Sequence, residues 1–231
     1  LDDISKDNVI FGVMAVSAMP VESSEGTSET ERPTAEVLAI GTAQGVVKRL
    51  SSDVPAGKDI WEIISLKAGD RVVCAANSRD DDHLVFITSD AQLLHFKADA
   101  VRPQGRSAGG MAGIRVAASA EVVFFGAVRP DSSNVVATVA GSLSQLAGVG
   151  ASTIKVTAFT EFPAKGRGTG GVRCHRLAKG EDALLLAWAG QSPVRAETAA
   201  GKPITLDTEL KARDGSGDKI KTTIAAIGGS H

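Results

Sequence analysis

The 231 residues carry 25 Lys and Arg against 27 Asp and Glu, a formal charge of −2, with 43% hydrophobic residues, 25 glycines and no tyrosine. No apolar run approaches the length that spans a membrane, and no signal-peptide pattern precedes the first β-forming run. Cys74 and Cys174 each lie in or beside such a run and read as buried free thiols, in keeping with a reducing cytoplasm.

The chain opens on LDDISKDNVIFGVMAVS, an aliphatic residue, then polar residues with an acid, then β-formers. The pattern returns as LKAGDRVVCAA from Leu66, VAASAEVVFFGAV from Val116 and LAKGEDALLLAWAG from Leu177. Such self-similarity marks one supersecondary unit used repeatedly. In the first copy, the strand near Ile10 to Val16 is expected to complete a blade with later or swapped segments. Met19 to Glu36 then breaks the pattern, being acidic, Ser/Thr-rich and without apolar periodicity, and residues 21–36 read as a flexible, dispensable surface loop. Residues 1–36 hold eight acids and two bases, so the rest of the chain is mildly basic despite the total.

Next come hairpins. VLAIGTAQGVVKRL from Val37, LVFITSDAQLLHF from Leu84 and VVATVAGSLSQL from Val135 each pair two apolar runs around a small-residue turn, at Ala43-Gln44-Gly45, Asp90-Ala91-Gln92 and Ala140-Gly141-Ser142. A third element, rich in Gly and bases, follows as RPQGRSAGGMAGIRV from Arg102, KGRGTGGVRCHRL from Lys165 and KARDGSGDKI from Lys211; the first unit has only VPAGKDIWEI from Val54 there. The unit of about 45 to 60 residues is that of propeller-like blades. No long amphipathic helix is present. The reading is therefore all-β, a single domain over 1–231 of about four blades in a radial or spiral array.

The bases recur in the same elements. Lys48 and Arg49 follow a hairpin turn; Arg102, Arg106 and Arg115 flank the second Gly-rich segment; Lys165, Arg167, Arg173 and Arg176 the third; Lys211 and Arg213, with Lys219 and Lys221, the fourth. Equivalent positions in stacked units point the same way, so these bases are expected to form a stripe along one edge. Glycines beside the arginines let backbone amides approach phosphate oxygens, adding neutral donors to the charge.

At GTAQGVVKRL from Gly41, VRPQGRSAGGMAGIRV from Val101, FPAKGRGTGGVRCHRL from Phe162 and RDGSG from Arg213, the sequence resembles the C-terminal domain of the A subunit of bacterial type IIA topoisomerases, DNA gyrase and topoisomerase IV. The resemblance runs over nearly the whole chain. It implies a β-pinwheel, a disc or spiral whose blades exchange strands, that bends duplex DNA around a basic rim and presents it to a cleavage core. It further implies partners in that N-terminal core and in a B-type ATPase subunit, with a cytoplasmic, nucleoid-associated bacterial setting. Gyrase members carry a Gln-Arg-Arg-Gly-Gly-Arg-Gly-like box in the first blade. Here the nearest strings, QGRSAGG from Gln104 and KGRGTGG from Lys165, lie in later units, which resembles topoisomerase IV or a gyrase-like paralogue. The chain opens on the closing element of a unit, so a box-bearing blade upstream of Leu1 stays open beside true absence.

No catalytic residue, cofactor or metal site is assigned. Type IIA enzymes cut DNA through a tyrosine, so cleavage falls to residues outside this chain. Gly166 to Gly171 matches G-x-G-x-x-G, but no first strand precedes it and no helix follows, and no Walker lysine motif occurs. His175 beside Cys174 lacks a second pair at metal-ligand spacing. Glu181-Asp182, like Asp70 and Glu121, occupies the recurrent polar turn and reads as turn-forming. Trp61, Trp188, Phe86, Phe124 and Phe125 read as blade core, which favours duplex over single-strand binding. The competing class is a propeller-type protein-interaction module.

Overall fold

The computed structural model describes residues 36–51, 61–144, 152–206 and 209–229. The expected strand near Ile10 to Val16 lies outside these residues, as does the loop over 21–36 apart from Glu36, whose carboxylate pairs with Arg79. In chain order the strands are β1 (Val37–Thr42), β2 (Val46–Leu50), β3 (Val72–Ser78), β4 (His83–Thr88), β5 (Gln92–Lys97), β6 (Pro103–Gln104), β7 (Met111–Ala112) and β8 (Val122–Val128). They continue with β9 (Asn134–Gly141), β10 (Ser152–Ala158), β11 (Val172–Arg173), β12 (Ala183–Gln191), β13 (Arg195–Glu197), β14 (Pro203–Ile204), β15 (Asp218–Ile220) and β16 (Ala226–Gly228). The only helical elements among the described residues are two 3-10 turns, Ala98–Ala100 and Phe159–Glu161, and none is long and apolar enough to cross a membrane.

Four sheets result, and each mixes segments distant in sequence: β3-β1-β2-β6 with β7 also on β2, β11-β5-β4-β8, β12-β9-β10-β15 and β14-β13-β16. The rule is regular. A hairpin is flanked on its first strand by the β-run that follows it, and on its second strand by a short strand from the Gly-rich segment after the next hairpin. Each blade is thus closed by a strand given from its neighbour. Register shifts fall at Gly41/Thr42, at Ile87/Thr88 and at Leu184/Leu186, which pairs with Val139/Ala140, so the three blades superpose residue for residue.

Strands β4 and β9 are apolar on both faces because their sheets are sandwiched between neighbours. Successive side chains of a strand point to opposite faces. In β4, Leu84 and Phe86 join Ala39, Val47 and Phe125 in one cluster, whereas Val85 and Ile87 join Val136, Phe162 and Leu184 in the next. Two further clusters, one around Val135, Val156 and Val194 and one around Ile154, Ala196 and Ile224, join the third sheet to the fourth. The turns also bond across blades, Val122 N–H to Ala43 C=O and Leu184 N–H to Ser89 C=O.

Two expectations need correction. The third hairpin does not turn at Ala140-Gly141-Ser142: β9 runs through Gly141 and its partner is β10, with Val139 opposite Ile154. Ala140 and Gly141 are both buried against neighbours, so small residues here mark close packing and not reversal. Cys74 is exposed, while Cys174 is fully buried; β3 is an outer strand with solvent on one side.

Candidate functional site

The three Gly-rich basic segments occupy one structural position. Gly110, Gly171 and Gly217 each precede the strand given to the neighbouring blade, and a Cβ on any of them would fall within 2.4–2.7 Å of the carbonyl oxygen of Val47, Leu93 or Ile154. Four residues before each lies an arginine, Arg106, Arg167 and Arg213. Two residues before lie Ala108, Thr169 and Gly215. The N–H of Arg115 donates to Thr169 C=O at 2.9 Å, and that of Arg176 to Gly215 C=O at 3.0 Å, the same bond one unit on. The segments read Q-G-R-S-A-G-G, K-G-R-G-T-G-G and K-A-R-D-G-S-G in register.

These bonds also make the loops abut. Gly168 N–H reaches Gly113 C=O at 2.6 Å and the Arg167 guanidinium reaches Ala112 C=O at 2.7 Å, joining the second loop to the first. His175 joins the second to the third by accepting from Gly217 N–H at 3.2 Å. Residues 102–115, 163–176 and 211–221 together hold eleven bases and two acids, +9, so a chain of net −2 carries −11 elsewhere. Charge is segregated onto a continuous strip.

The predicted residues divide. Arg102, Arg115, Lys165, Arg167, Arg173 and Arg176 are exposed, and Arg106 and Arg213 half-buried, all on the strip. Lys165 Nζ also caps Gly171 C=O. Lys211 is half-buried and ion-paired with Asp218. Lys48 and Arg49 are not surface groups, at 0% and 1% exposure. Arg49 spans Asp80 at 2.6 Å and the carbonyl oxygens of Ala98 and Val101. Lys48 Nζ donates to the carbonyl oxygens of Ile63, Arg106 and Ala108, each at 2.7 Å. Sequence reasoning placed them outside because they follow a turn; the alternation of β2 instead directs them into the space beneath the first loop and between blades.

Lys155 was missed altogether. It stands on β10 where β2 has Lys48, is 1% exposed, and its Nζ donates to Ala212 and Gly215 C=O at 3.1 Å and to Arg213 C=O. Burial lowers both ammonium pKa values, that of Lys155 to about 8. The signal in sequence was a lysine flanked on both sides by apolar β-formers, Ile154 and Val156.

The remaining polar groups are structural. His175 is 1% exposed, with Nδ1 2.8 Å from Thr138 Oγ1. His83 and His95 meet Nδ1 to Nδ1 at 2.7 Å while His95 Nε2 lies 2.9 Å from Phe162 C=O. A carbonyl only accepts, so His95 carries its proton on Nε2 and accepts at Nδ1 from His83. Glu181 accepts from Thr153 Oγ1 and Ala178 N–H, and Asp182 from Ser142 Oγ and Leu143 N–H, each in the turn role expected of it. Among the described residues no three His, Cys, Asp or Glu are grouped to hold a metal ion.

The family model described as DNA gyrase C-terminal domain, beta-propeller, matches residues 82–129 and 153–185. The A subunit of DNA gyrase from Mycolicibacterium smegmatis is 30% identical over 197 residues, covering 84% of this chain and 20% of that protein. Topoisomerase subunit TopoM of the same organism is 33% identical over 108 residues, covering 46% and 14%. The chain thus spans a fifth or less of the length of these curated relatives. Two solved structures share the fold: the C-terminal domain of DNA topoisomerase IV, at TM-score 0.67 and 17% identity over 83% of this chain and 61% of that one, and the DNA gyrase A C-terminal domain, at 0.63 and 16% over 84% and 65%. With its strand-exchanging blades and the family's sequence pattern, the chain belongs to the C-terminal β-pinwheel domains of the DNA gyrase A family.

Proposed function

We propose that this domain binds and bends duplex DNA along the three-loop strip, for the A subunit of a type IIA topoisomerase. The observation that carries the reading is the placement of eleven bases on three equivalent loops that hydrogen-bond edge to edge. Regularly spaced cations on a curved edge match a phosphate backbone and no particular base sequence. Each phosphate neutralised releases counterions, so affinity falls steeply with salt. Bending costs on the order of 1–10 kcal/mol, offset by the phosphates a curved path brings within reach.

Strand cleavage is assigned to the rest of the parent enzyme because the chain has no tyrosine, and ATP hydrolysis to a B-type subunit because it has no Walker lysine motif; the setting is the bacterial cytoplasm. The test is a mobility shift with a mixed-sequence duplex of about 40 base pairs across a salt series. Replacing Arg106, Lys165, Arg167 and Arg173 with Ala is expected to weaken binding for all sequences alike and to flatten the salt slope by about 0.9 log unit per lost phosphate contact. Unchanged affinity and slope would remove this reading and favour the protein-docking module.

A further inference from the structure

We propose that Lys48 and Lys155 are positioning residues of the phosphate strip, turning the carbonyls of the first and third loops inward so that Arg106, Arg213 and the amides beside them face outward. The inference rests on the duplex-binding reading above. Each buried ammonium takes three carbonyl oxygens, those of Ile63, Arg106 and Ala108 for Lys48 and of Ala212, Arg213 and Gly215 for Lys155. Burying a charge is costly unless hydrogen bonds replace its hydration, and three charge-assisted bonds do so.

The blade itself does not require this lysine. At the equivalent position β5 has Leu94, 1% exposed and packed in the core, and the middle blade forms with the same register. What differs is the loop above. The middle loop is gripped from both sides, through Gly168 and Arg167 to the first loop and through His175 and Arg176 to the third. Each outer loop has a neighbouring basic loop on one side among the described residues, and those two have the internal lysine.

A trans peptide points its C=O and the next N–H in opposite directions. With the carbonyls of Arg106, Ala108, Arg213 and Gly215 drawn inward, the N–H groups of Ser107, Gly109, Asp214 and Ser216 point away from the blade. None of these four donates within the described chain. Two outward amides beside an arginine form a concave donor set for a phosphate oxygen, so the lysine organises charge and neutral donors together.

The test is a double-mutant cycle on the 231-residue chain, with the same 40-base-pair duplex. Lys155→Met is expected to keep a cooperative melt, to weaken binding at least as much as Arg213→Ala, about 3- to 10-fold, and to flatten the salt slope by about 0.9. Arg213→Ala added to Lys155→Met is expected to cost nothing further, because the arginine is already misplaced. Lys48→Met with Arg106→Ala repeats the cycle independently, and Leu94→Met controls for core repacking. A lysine acting only through long-range charge or general stability gives additive losses, which would overturn the proposal, as would full affinity in both Met variants. Amide hydrogen exchange keeps this separable from the duplex reading: Lys155→Met is expected to deprotect Gly215 and Arg176, whose bonds run through the Ala212 and Gly215 carbonyls, whether or not DNA binds. Unchanged protection there refutes the positioning role by itself.

Discussion

His175 makes the fold acid-sensitive at the junction of two basic loops. Gly217 N–H can only donate, so Nε2 presents its lone pair and the proton sits on Nδ1, facing Thr138 Oγ1. A second proton would set N–H against N–H in a site with 1% exposure. Burial foremost, then the nearby Lys155 charge, depress the pKa from 6.5 to about 4, against an opposing pull from Glu181. A depressed folded-state pKa gives stability that is present above the unfolded value and lost as pH falls through the folded one. The loss therefore runs from about pH 6.5 to 4 and amounts to about 3 kcal/mol, at about 1.4 kcal/mol per pKa unit. Urea unfolding at pH 7 and pH 4 is expected to show this drop in the parent chain and a drop smaller by about 3 kcal/mol in His175→Gln. Parallel pH curves for the two proteins would refute the tautomer argument, whatever the absolute stability of the variant.

Three further outcomes follow from local geometry. Gly171→Ala, at φ +75° with its Cβ 2.4 Å from Leu93 C=O, is expected to cost about 2 kcal/mol or more in melting experiments, whereas Gly166→Ala, with open space around it, stays within about 0.5. Native protein is expected to titrate one thiol with an aqueous disulfide reagent and two after unfolding, because Cys74 is exposed while burial pushes the Cys174 thiol up to about 12. Raising pH from 7 to 9 takes Lys155 through its pKa of about 8, set by burial among Cys174, Asp214, Arg213, Arg176 and the neutral His175. A neutral amine has two hydrogens for three carbonyls, so duplex affinity is expected to fall in the parent chain more than in Lys155→Met. The stability term has the opposite sign: between about pH 8 and 10.5 the unfolded chain holds the extra proton and folding is favoured, so a melting loss in place of a binding loss contradicts the assignment.

The blade plan was legible because burial on both sheet faces leaves a strong trace, as in the run from Leu84 to Thr88, and because the turns at Gly45 and Ala91 fall where the small residues are. Position 140–142 misled for a physical reason: Ala and Gly serve close packing inside a strand as well as reversal outside one. The loops were legible as strings, but their register depended on which carbonyl each glycine approaches, a contact with the neighbouring blade. Lys48, Arg49 and Lys155 show the limit most sharply. Lys48 and Lys155 are satisfied wholly by backbone carbonyls, which every residue carries, and Arg49 by two carbonyls besides Asp80, so most of these partners leave no mark in the sequence.

Strand exchange explains why the charge can be segregated at all. Each Gly-rich segment is given back to the hairpin before the one it follows and bonds to the loops beside it, so all three meet on one edge. The acids that bring the total to −2 lie outside these three segments in sequence, apart from Asp214 and Asp218. Screening at physiological salt confines exposed charges to about 8 Å, so a phosphate on the strip responds to the local +9 far more than to the net charge of the whole chain. Net charge alone argues against a polyanion partner, yet the topology gathers a local excess of nine positive charges on three abutting loops. On the proposed duplex reading the same clustering sets the path of the DNA, since the three loops gather eleven of the 25 bases with only two acids.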